Sequence, residues 1–137
     1  MLDSTDARQL AEFYRVLLGL TYRPGDEPPP VGQPDEGRDW LVLRGPAGGP
    51  RIAVQQVARL SAPTWPQGPV PQQLHLDLSV PSVAELRTQH GRVLALGGTL
   101  LADRELPADG DDEVFRVYRD PDGHPFCIFV EQSGADT

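Results

Sequence analysis

One heptapeptide pattern occurs twice in this chain. Arg44 to Pro50 and Arg119 to Pro125 both read R-x-P-x-G-x-P, 75 positions apart. Arg, Pro and Gly are common here, so the pattern alone could be chance; the flanks decide it. Trp40, Val42 and Arg44 align with Phe115, Val117 and Arg119, and Ile52 and Val54 align with Cys127 and Phe129. Each copy sits between two apolar runs of strand length, so each reads as the turn of a hairpin. Self-similarity constrains architecture more than any single motif, and two copies are too few for a solenoid. The chain is therefore expected to use one supersecondary module twice, with its functional site between the copies.

The elements around the turns repeat in the same order. Asp6 opens a helix with Gln9 three residues on; Leu10, Phe13, Tyr14 and Leu17 follow at helical spacing, and Gly19 ends the run. In the second half Ser82 caps and Glu85 reaches back, a cap worth about 1 kcal/mol. Val83, Leu86, Val93 and Leu94 continue in phase to Gly97 and Gly98. A short strand follows each helix, Leu20 to Arg23 and Thr99 to Ala102, then a polar loop, Pro24 to Gly37 and Asp103 to Asp112. Hairpins close the halves: Trp40 to Arg44 with Arg51 to Val57, and Val114 to Arg119 with Pro125 to Glu131. The second module opens on a strand, Gln73 to Val80, of period two. Leu74, Leu76, Leu78 and Val80 face the helix, while His75, Asp77 and Ser79 face the opposite, concave side. The matching strand of the first module is nearly absent, because only Met1, Leu2 and Asp3 precede Ser4.

The expected fold is thus α+β, two β-α-β-β-β modules forming a curved mixed sheet around a cleft, with the first strand truncated. The 137 residues make one domain: module 1 at about 1–60, a hinge at 61–72, module 2 at about 73–132 and a tail at 133–137. No run approaches the roughly 18 apolar residues of a membrane span, and no leader pattern precedes the first helix; the chain is expected in the cytoplasm. A net charge of −8 without a basic block argues against nucleic acid. All 12 basic residues are Arg, which excludes a Schiff-base or phosphate-loop lysine. The single Cys127 excludes an internal disulfide.

His75 to Val80, a helix ending in Leu-Gly-Gly, and Arg119 to Cys127 together resemble the vicinal oxygen chelate superfamily. This is the superfamily of glyoxalases, bleomycin resistance proteins and extradiol dioxygenases. Residues 63–66 and Gln72 to Asp77 point to its small actinobacterial glyoxalase-like members. The resemblance implies paired modules curling into a cleft, often completed by a homodimer. Metal-dependent members place a ligand at the start of each module's first strand and another on its last strand. In the second module these positions are His75 and, six residues after Pro121, Cys127. In the first module the same count from Pro46 reaches Ile52, and the remaining ligand would precede Met1. A catalytic metal needs about three protein ligands; His75 and Cys127 supply two, with Gln56 a weak third. No metal or other cofactor is expected, and His75 and Cys127 are its ligands if one is present.

The expected ligand-binding set is His75, Asp77, Gln56, Cys127 and Phe129 on the concave floor. Arg116 and Tyr118 join them, and Trp65 on the hinge acts as a lid. Apolar walls with a few polar groups suit a small organic molecule. His75 and Cys127 also have plain readings, as a half-buried histidine and an inert small hydrophobe. His90 and His124 read as solvated, and the run Asp109 to Glu113 lacks the ligand spacing of a calcium loop. Asp103 and Glu105 flank Arg104 and carry no chemistry by themselves. Two function classes follow. One is metal-free sequestration of a small molecule by a homodimer. The other is a lyase, isomerase or dioxygenase with His75 as base or metal ligand.

Overall fold

A computed structural model describes residues 1–65, 67–104 and 113–131. The run Asp109 to Asp112, Glu105 and the tail lie outside the described residues. The chain divides into two compact units, Met1–Ser61 and Ala62–Thr137.

The first unit contains β1 (Leu2–Ser4), α1 (Ala7–Leu18), β2 (Thr21–Tyr22), β3 (Trp40–Arg44) and β4 (Pro50–Gln56). The second contains β5 (Leu76–Val80), α2 (Val83–Ala95), β6 (Thr99–Arg104), β7 (Phe115–Arg119) and β8 (Pro125–Val130). Each forms a four-stranded mixed sheet of the same topology, β1-β4-β3-β2 and β5-β8-β7-β6. In both, the first strand runs parallel to the last and the others are antiparallel. The duplicated β-α-β-β-β order is the one the repeat predicts, and the first strand is short but present. No helix among the described residues is long and apolar enough to cross a membrane.

The repeated turns explain why the heptapeptide is written twice. The amide of Gly48 donates to Gly45 O, and that of Gly123 to Asp120 O, each at 2.9 Å. Both glycines have left-handed φ, 86° and 93°, as a type I turn followed by a bulge requires. The helices also start as expected: Asp6 accepts from the Gln9 amide and Ser82 from the Glu85 amide, at 3.2 and 3.1 Å. Helix α1 buries Leu10, Phe13, Tyr14 and Leu17 against its sheet, and α2 buries Leu86 and Val93. In the first unit Arg8 pins the 24–37 loop by a two-pronged pair with Asp35, at 2.7 and 2.9 Å, and by Asp26 O.

One irregularity separates the modules. In the first hairpin Val42 pairs with Ala53 and Leu43 with Ile52, but Arg44 pairs with Pro50, so Arg51 is an extra residue. In the second, Val117 pairs with Cys127 and Arg119 with Pro125 without a break. The residue equivalent to Cys127 is therefore Ala53 rather than Ile52. The sequence count ran straight through a bulge that shifts strand parity by one.

Candidate functional site

The parallel pairing of β5 with β8 puts Asp77 directly beside Cys127, and Ser79 beside Phe129. Neighbouring residues in register share a face of the sheet. His75, just before β5, reaches the same place: its Nε2 lies 3.2 Å from an Asp77 carboxylate oxygen. Donor atoms of His75, Asp77 and Cys127 all lie within 4.8 Å of one another. Among the described residues this is the one cluster of three such groups close enough to share an ion. Trp65 stands over it, its ring 6.0 Å from the His75 ring and tilted by 30°. Further along the face Phe115 and Phe129 stack at 4.8 Å, and Ser79 donates to a Glu131 carboxylate at 3.1 Å.

Asp77 is the hub of the cluster. The Cys127 side chain is buried, with Asp77 beside it in register on β5. Burial, then the neighbouring Asp77 carboxylate, pushes the thiol pKa from 9.0 up to about 11. Each cause penalises the thiolate. Cys127 is thus a neutral donor at physiological pH, and a poor nucleophile. The Asp77 side chain remains 59 % exposed, so its carboxylate also faces outward.

Three of the expected site residues lie elsewhere. Arg116 pairs with Ile128 and Tyr118 with Phe126, so both point to the α2 side of the sheet, away from Cys127. There the Tyr118 hydroxyl meets His90 Nδ1 at 3.0 Å, and Arg116 pairs with Asp103 at 3.3 Å. Burial raises the Tyr118 pKa, despite the opposing Arg116 bond. His90, expected to be solvated, is instead a partner in this network. Phe115 and Val117 take the place assigned to Arg116 and Tyr118 on the site face. Counting outward from Arg119 and Pro125 at the hairpin ends would have found this, since it sets Val117 opposite Cys127. Gln56 is the third correction. The bulge puts it on the helix side at the end of β4, where it accepts from Ala7 N at 2.9 Å and donates to Thr5 O at 2.7 Å. It fastens the start of α1. His124, also expected to be solvated, is held by the buried Asp120, whose carboxylate accepts its ring Nδ1–H at 2.9 Å.

For a metal, the second unit's donor set fits a borderline-soft divalent ion such as zinc: imidazole, carboxylate and thiol. The set differs from the superfamily pattern in two ways. Asp77 is not one of its ligand positions, and the first unit has apolar Ala53 where the second has Cys127.

The chain as a whole has clear relatives. The glyoxalase-like domain family matches residues 1–129. A glyoxalase/bleomycin resistance protein from Albidiferax ferrireducens is 21 % identical with a TM-score of 0.57, over 96 % of this chain and 95 % of that one. A glyoxalase/bleomycin resistance protein/dioxygenase family enzyme from Burkholderia phytofirmans is 14 % identical with a TM-score of 0.64, over 94 % and 93 %. A genomically encoded fosfomycin resistance protein from Listeria monocytogenes is 16 % identical with a TM-score of 0.63, over 96 % and 86 %. No curated protein sequence matches. At these identities the solved structures establish the fold. With the family match over nearly its full length and two β-α-β-β-β units of the same topology, the chain belongs to the glyoxalase-like domain family of the vicinal oxygen chelate superfamily.

Proposed function

We propose that this chain binds a small organic molecule on the Trp65–His75–Asp77–Phe129 face of its second module, without needing a metal. It acts by sequestration, as a cytoplasmic homodimer. The observation that carries this reading is the internal satisfaction of the cluster. The Asp77 carboxylate already lies 3.2 Å from the His75 ring nitrogen, and the buried Cys127 stands beside it in register. What the face offers a visitor is aromatic surface with a few oriented polar groups, the composition of an organic-molecule site. Two of the structural relatives are named for resistance to bleomycin and fosfomycin, which agrees with a small-molecule role.

One observation favours a second reading: the three donors within 4.8 Å of one another. A divalent ion held by His75, Asp77 and Cys127 would supply Lewis-acid chemistry for a lyase, isomerase or dioxygenase. One experiment separates the two. Protein purified without chelator is analysed for metals, and His75→Ala is compared with wild type for binding of aromatic fragments. The metal-free reading expects no stoichiometric metal in either and weaker fragment binding in the variant. Stoichiometric zinc, nickel, iron or manganese in wild type, lost in His75→Ala, puts the enzyme first.

A further inference from the structure

We infer that this face selects organic cations: a planar aromatic ring carrying a protonated amine or amidinium, with the cation against Asp77 and the ring beside Trp65. The inference deepens the proposed organic-molecule site and rests on it. Three observations carry it.

The first is the solvent-facing carboxylate. The Asp77 side chain is 59 % exposed, and its one ion-pair partner among the described residues is His75. The sheet's arginines are placed away from it. Arg116 lies on the α2 side with Asp103. Arg119 and Arg104 share the site face but stand on β7 and β6, two and three strand spacings from β5, roughly 10 and 14 Å. The second observation is a second carboxylate on the same edge: Glu131, bonded to Ser79 Oγ on the strand that carries Asp77. The third is the Trp65 ring, 6.0 Å from the His75 ring whose Nε2 is 3.2 Å from Asp77. A cation near an indole face is attracted by its quadrupole, most strongly with a carboxylate on its far side. The −8 charge of the chain adds a long-range field of the same sign. An anionic ligand would meet all of these as opposition.

The test uses three ligands of one shape, 1-naphthylmethylamine, 1-naphthylmethanol and 1-naphthoate, titrated calorimetrically into the full chain at pH 8 after chelator treatment and desalting. The amine should bind at least tenfold tighter than the alcohol, as expected for a partly desolvated charge pair, and the carboxylate weakest. Raising NaCl to about 0.5 M should erode the amine's advantage while sparing the alcohol. Asp77→Asn should bring the amine to the alcohol's level. An alcohol or carboxylate that binds wild type as tightly as the amine overturns the cation inference and leaves the organic-molecule reading standing. So does an amine preference insensitive to salt. Failure of all three to bind wild type overturns both.

Discussion

Asp77 and Cys127 meet because a parallel strand pair sets them side by side, and their chemistry follows from that adjacency. A thiol alone in a β-strand reads as an inert filler; a buried thiol beside a carboxylate is held in its neutral form more firmly. The Cys127 pKa is raised above its unfolded value, so its contribution to stability is complete below that value and declines as pH climbs through the interval from 9.0 to about 11. Alkylation by iodoacetamide followed against pH should therefore rise with an apparent pKa near 11 in the folded protein. Asp77→Asn removes the charge but not the burial, which is the largest cause, so the midpoint should fall yet stay above 9.0. A midpoint that does not move in Asp77→Asn would show that the carboxylate does not act on the thiol. His75 and Asp77 were legible as a pair from period-two alternation in a single strand. Cys127 joined them because the spacing from Pro121 is fixed by a tight turn.

At the scale of elements, the helix caps, hairpins and strand order could be read directly, since each is set by contacts within a few residues. The repeated turns offer a quantitative comparison. Gly48 and Gly123 occupy equivalent left-handed positions, so alanine at either costs about 1 kcal/mol from the backbone. A Cβ at Gly48 meets nothing within 4 Å, whereas one at Gly123 would approach the Ala62 methyl to 2.7 Å. Gly123→Ala should therefore destabilise the protein more than Gly48→Ala in urea denaturation. Equal losses would mean that the second turn does not pack on the start of the hinge. The errors came from parity. Gln56 was placed on the wrong face because the bulge at Arg51 cannot be seen in a pattern of types, and a single inserted residue flips every side chain beyond it. Arg116 and Tyr118 lie off the site face for a different reason: the apolar Phe115 and Val117 occupy it. In the structure that layer takes the Tyr118 ring and an arginine paired with Asp103. Apolar pattern separates faces only when one face is polar, and this site face is built largely of Val, Phe and Cys.

For the molecule as a whole, duplication leaves the two units unequal at their first strands. β5 has five residues in register with β8, while β1 has three in register with β4 and forms an edge of its sheet. A short edge strand leaves backbone donors and acceptors on β4 available for another chain, and a second copy is the partner that symmetry favours. The proposed homodimer should sediment at about 30 kDa, twice the 15.0 kDa of one chain. Charge supplies a second signature. Two chains of −8 repel at long range, so association is opposed by a field that salt screens over roughly 10 Å at 0.1 M. Raising NaCl from about 0.02 to 0.3 M should consequently tighten the dimer, the reverse of an interface held by surface ion pairs. Sedimentation velocity across that range checks both points at once. A species of 15.0 kDa alone at high micromolar concentration removes the dimer. A dimer that loosens with salt keeps the assembly but replaces the backbone edge with charged contacts as its cause.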